Sequence, residues 1–209
     1  SHDWGLRQRL DPREPAIEPI TLTNPIAADQ EILRTTLLPG LLESVAHNIN
    51  RGAKDVRLFE IGRTFRRGQA VPPAHEDRKR APVGPVSEIV SLGIVATGSV
   101  RPSHWMEPRR EATFHDMKGL IESIFAEIGA RAHVEPLDDS EALDVSRSAL
   151  LLASETPAGP TRRVGRFGAL ARAWRERFDI KPEVFVAEVN LTEIFALAPE
   201  PVIFRTLPR

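Results

Sequence analysis

Runs of basic residues are the side chains in this sequence best suited to chemistry. Arg66-Arg67 and Arg78-Lys79-Arg80 stand close together. Guanidinium groups suit phosphate, because each offers a planar fork of donors to two oxygens at once. Glu76 and Asp77 dilute the charge, and no aromatic side chain lies between residues 66 and 87 to stack on a base. The stretch reads as a solvated loop first, and as a loop touching a nucleic-acid backbone second. Glu111, His115 and Asp116 invite a metal reading. Yet His104, His115 and His133 fall on different elements, and no two histidines share a metal-binding helical spacing. Asp116 is better placed to stabilise a helix start. Asn190-Leu191-Thr192 fits a glycosylation acceptor, but with no secretion signal Asn190 reads as a helix cap. Ser148 and Ser154 have no recognisable His–Asp company, so a hydrolase triad is not expected.

Bulk properties narrow the field further. The chain has no cysteine, which excludes disulfides, thiolate metal sites and a cysteine nucleophile. Its 209 residues make one large domain or two small ones, at ~150 residues per domain. A net charge of −1 argues against a global field drawing the chain to nucleic acid or membrane. No apolar run approaches the ~18 residues of a membrane span. Ser1-His2-Asp3 opens no signal peptide, so a cytoplasmic location is expected. The absence of an initiator Met suggests an excised fragment, with Ser1-His2 as a tag remnant.

These residues need elements to hold them. Residues 1–28 form a Pro-rich lead-in ending near the turn-favouring Asn24-Pro25. Leu37, Leu38, Leu41, Leu42, Val45 and Ile49 fall on one helical face. Thr35 or Thr36 can cap that helix, Pro39 is tolerable only in its first turn, and Gly52 stops it. A strand over 56–65 places Phe59, Ile61 and Phe65 on one face, and a second runs over 89–97. The prolines at 72, 73, 82 and 85 make 66–87 a long hairpin loop between them. A second helix runs from about Phe114 to Ile128, with Leu120, Ile121, Ile124, Phe125 and Ile128 as its apolar face, and Gly129 ends it. Short strands are expected near 132–135, 148–153 and 163–167, and a third helix near Leu170, Trp174 and Phe178. The almost unbroken apolar run 184–189 reads as a central strand covered on both faces, with a short helix after Asn190. Hairpins and helices without strict βαβ alternation predict an α+β fold with a mainly antiparallel sheet flanked by helices, its core over 29–200 and a linker over 201–209.

Three segments carry a family likeness. They are Leu22-Thr23-Asn24-Pro25-Ile26 with Leu33-Arg34-Thr35-Thr36-Leu37-Leu38-Pro39-Gly40-Leu41-Leu42; Asn48-Ile49-Asn50-Arg51-Gly52 running into Val56-Arg57-Leu58-Phe59-Glu60-Ile61-Gly62-Arg63; and Phe114-His115-Asp116-Met117-Lys118-Gly119-Leu120-Ile121-Glu122. In this order the chain resembles the beta subunit of bacterial phenylalanine–tRNA ligase, most strongly over about 22–129. Further on it departs from the family's usual runs, with Asp144-Val145-Ser146 before Arg147 and with Gly168-Ala169-Leu170-Ala171-Arg172. The resemblance implies a core like the catalytic domain of class II aminoacyl-tRNA synthetases, but without chemistry. The active site would belong to an alpha subunit in an α2β2 assembly that uses ATP and Mg and charges tRNA. It also implies that the first class II signature precedes residue 1. An editing module would lie outside the chain and a ferredoxin-like domain would follow Arg209. An exposed sheet edge or partner patch is then expected.

The same resemblance says what an active site would require. An Arg on the second signature's strand holds the α-phosphate, since charge develops there. An acidic residue follows it, with Gln and Glu on the return strand. Here Gly62-Arg63-Thr64-Phe65-Arg66-Arg67-Gly68 matches the strand, Arg66 standing for the phosphate Arg and Gly68 for the carboxylate. Phe114 to Gly119 is taken as the return, with Asp116 for Gln and Lys118 for Glu. Gly165-Arg166-Phe167-Gly168 echoes a Gly-rich third signature and reads as a turn. The site so described is non-catalytic and binds no cofactor or metal. Two alternatives stay open. One is an active ATP-dependent adenylating enzyme, which needs Arg66 and either Arg166 or Arg172 in one pocket. The other is an RNA-binding module, with Arg66, Arg67, Arg78, Lys79 and Arg80 as its contacts.

Overall fold

Two apolar periodicities build the core, one on each side of a single sheet. The computed structural model describes residues 20–21, 32–67, 86–100, 109–138, 140, 142–154 and 159–197. A short ribbon pairs β1 (Ile20–Thr21) with β2 (Ile32–Leu33). The main strands are β3 (Val56–Arg67), β4 (Val86–Thr97), β5 (Arg131–Pro136), β6 (Leu143–Ser154), β7 (Arg162–Leu170) and β8 (Val184–Asn190). They form one sheet in the order β3-β4-β8-β7-β6-β5, every neighbouring pair antiparallel. The α+β expectation therefore holds. Otherwise than Ile20 and Thr21, the expected lead-in over 1–28 lies outside the described residues, as do loop residues 68–85 and the linker over 201–209.

Helices cover both faces. On one side α2 (Phe114–Ile128) and α4 (Leu191–Leu197) bury Met117, Ile121, Phe125, Leu191 and Ile194 against Leu92, Ile94, Leu151, Phe167 and Phe185. On the other, α1 (Leu38–Asn50) and α3 (Arg172–Arg177) bury Leu38, Leu42, Val45 and Trp174 against Val95, Leu143, Leu170 and Val186. Successive residues of β8 go to opposite cores, as a strand's period of two demands. That explains its unbroken apolar run, and its place between β4 and β7 makes it the central strand the sequence implies.

Local chemistry sets the helix ends. Pro39 sits in the first turn of α1, where its missing N–H costs nothing. Gly52 and Gly129 adopt positive φ, 91° and 80°, just beyond α1 and α2. The glycine of β4 has a different use. A Cβ on Gly93 would stand 2.7 Å from Leu41 Cδ1 and 3.0 Å from Leu37 Cβ, so its absence lets α1 lie directly on the sheet. Two expectations change. Leu120 points outward, because the buried stripe of α2 runs through Met117, Ile121 and Phe125. Leu170 ends β7 instead of entering α3. Phe125 is 1% exposed at the middle of its core. Phe125→Ala is expected to lower unfolding free energy by about 3–5 kcal/mol, read by urea denaturation, from lost transfer energy and the cavity left behind.

Candidate functional site: a basic groove ahead of the first long helix

The face of the sheet that carries α1 turns polar where that helix begins. Thr64, Arg66, Ser91, Arg163, Arg166 and Glu188 line a groove of about 270 Å³ there. On β3 the period of two puts Thr64 and Arg66 on one face. Thr64 is buried, and its hydroxyl lies 2.9 Å from that of Ser91. On β7 two arginines three positions apart would point to opposite faces of a regular strand. The pairing of β6 with β7 shifts between Leu151 and Leu152, opposite Gly165 and Arg163. Such an irregularity re-aims side chains, and here both Arg163 and Arg166 line the groove.

Glu188 is the groove's carboxylate. It pairs across the ladder with Arg166 and leaves β8 on the α1 side. Its Oε1 accepts from the Thr36 hydroxyl at 2.6 Å and from the Leu37 amide at 2.8 Å. Thr36 Oγ1 accepts in turn from the Leu38 amide at 3.3 Å. Thr36 thus helps cap α1, as the sequence suggests, but a strand far away in the chain completes the cap. Helix N-termini leave backbone N–H groups without partners and favour negative charge, and Glu188 answers both.

The structure separates several residues that the resemblance groups together. Phe114 to Gly119 is the first turn and a half of α2, so it is no return strand; β4 returns from β3 and gives Ile89 and Ser91 to the groove. Asp116 and Lys118 lie on the opposite side of the sheet from Arg66, because α2 packs into the other core. Lys118 pairs with Glu122 at 3.6 Å along its own helix. Arg63 also faces away and pairs with Glu88 at 2.5 Å in solvent. Gly165 and Gly168 are strand residues and not a turn. A Cβ on Gly168 would run into Ser148 of the neighbouring strand, and one on Gly165 would meet the Glu188 carbonyl. Arg66 and Arg166 do share the groove, whereas Arg172 stands on α3 and pairs with Glu176 at 2.7 Å. Gly68, Arg78, Lys79 and Arg80 lie outside the described residues, as does the Arg67 side chain.

Asp116 has a structural role. It is the third residue of a capping box, accepting from the Thr113 amide at 2.8 Å and the Thr113 hydroxyl at 2.6 Å. Arg110 grips both carboxylate oxygens at 2.8 and 2.7 Å. Arg110 first, and then Thr113, holds this carboxyl well below the usual carboxylate range. His115 is exposed beside Phe114, and Glu111 pairs with Arg109 at 3.1 Å. Among the described residues no group of acids and histidines could hold a metal ion. Asn190 Oδ1 accepts from the Glu193 amide at 3.0 Å, the cap expected at α4, while Glu193 turns to Arg162 at 3.3 Å. Ser154 does meet a histidine, His133 Nε2 at 2.8 Å, but it is fully buried, which suits a cross-strand tie and not a nucleophile.

Sequence reasoning passed over Glu188 and Arg163. The first had a signal: it is the single charge inside an apolar strand run. The facing of the second depends on a register shift that no local pattern announces. Glu188→Ala is expected to cost about 1–3 kcal/mol through the lost cap, and to speed amide hydrogen exchange in the first turn of α1. Asp116 carries a pH signature. Its folded pKa is depressed, so its stabilisation is full above the unfolded value near ~4 and is lost as pH falls through the folded value. Asp116→Asn should therefore be less stable than the parent at pH 7, with the gap narrowing below pH ~4 in denaturant titrations.

Comparisons with known proteins bear on what this groove belongs to. The family described as phenylalanyl tRNA synthetase beta chain CLM domain matches residues 5–191. The chain is similar to the phenylalanine–tRNA ligase beta subunit of Ralstonia nicotianae, 33% identical over 92% of this chain and 22% of that protein. It is similar to the same subunit of Symbiobacterium thermophilum, 30% identical over 91% of this chain and 19% of that one. The beta subunit of Bordetella pertussis is 33% identical over 90% of this chain and 23% of that protein. The chain thus spans about a fifth of the length of these relatives.

Proposed function

Because this chain belongs to the phenylalanyl tRNA synthetase beta chain CLM domain family, we propose that it is the non-catalytic core of a phenylalanine–tRNA ligase beta subunit. In this reading its antiparallel sheet, with helices on both faces, is a class II synthetase-like scaffold. It supports a catalytic alpha subunit in an α2β2 enzyme of the cytoplasm. Phenylalanine, ATP and Mg are handled by the alpha subunit, and tRNA reaches the domain only through the assembly.

The observation that carries the reading is the lining of the groove. An adenylating site needs acidic and amide groups to hold an amino acid beside the phosphate. Here β4 supplies Ile89 and Ser91, the carboxylate of Glu188 is held at the start of α1, and the amide oxygen of Asn190 caps α4. A structural role has support of its own. Phe59 and Ile61 on edge strand β3 are 72% and 60% exposed, across from Ile94 and Leu92 on the same face. Exposed apolar strips of this kind mark interaction surfaces. A second reading has one observation in its favour, since Arg66 and Arg166 line one groove as an active adenylating enzyme would require. Among the described residues no helix is long and apolar enough to cross a membrane.

Two measurements decide between the readings. Phe59→Asp with Ile61→Asp, placed in the full-length beta subunit, should abolish co-purification with the alpha subunit. The same pair should change this chain's own stability little, because exposed positions tolerate substitution within about 0.5 kcal/mol. An intact complex would sink the assembly role of this strip. Phenylalanine-dependent exchange of pyrophosphate into ATP by this chain should stay at background; exchange that disappears in Arg66→Ala would establish the second reading.

A further inference from the structure

We draw no further inference here: the strongest candidate, the exposed apolar patch of Phe59 and Ile61 on edge strand β3 with Val90 of β4 on the same sheet face, belongs to the strip already assigned to assembly, and nothing in the structure shows what covers it.

Discussion

The carboxylate of Glu188 rises from the most enclosed strand of the sheet and ends on the first turn of α1. There it replaces water for the Leu37 amide and the Thr36 hydroxyl. A charge brought partly out of water is costly unless hydrogen bonds satisfy it, and a helix start is among the few places in a fold that can do so with backbone alone. The bond fixes where α1 begins along the sheet. Ahead of the contact the sheet face is polar, with Thr64, Arg66, Ser91 and Arg166 lining the groove. Behind it α1 lies close over Gly93, and the leucines at 38 and 42 reach the core.

The two sides of the sheet differ in how they are closed. The side under α2 and α4 is filled with aromatic and branched residues around Phe125 and Phe167, but this cover stops short of β3. Phe59 and Ile61 continue the apolar face past the last helix, as if the core extended toward something outside the chain. The side under α1 and α3 closes over Trp174 and Leu42 and gives way to charge instead. One sheet thus carries an apolar strip and an arginine-lined groove on opposite faces.

Much of the architecture was legible. The leucine spacing of α1, the unbroken apolar run of β8 and the glycines after α1 and α2 each obey a local rule, and each rule held. The failures have a common physical origin. Phe114 to Gly119 carries two readings in the sequence, the start of an amphipathic helix and, by the resemblance, a return strand facing Arg66. The helical period won, because Met117, Ile121 and Phe125 gain more from burial on one stripe than a strand could offer. Gly165 and Gly168 looked like a turn, since glycine's commonest use is conformational. In the sheet they serve close approach between neighbouring strands, which is invisible until the neighbours are known. The groove itself is a tertiary fact. Arg66, Arg163 and Glu188 stand far apart in sequence, and only the strand order β3-β4-β8-β7 brings them together.

That strand order has a consequence for the time at which the fold can exist. The sheet is not assembled from one edge to the other in the order of synthesis. The hairpin of β3 and β4 is made early, and the meander of β5, β6 and β7 later. Neither touches the other through a ladder until β8, the last strand, slides between them. Long-range closures of this kind are slow, because chain entropy is lost before the contacts that reward it form. On a ribosome the early hairpin and α1 would wait with apolar faces uncovered until the chain beyond Asn190 had cleared the exit tunnel. The keystone strand thus makes closure of the sheet a late event in the order of synthesis.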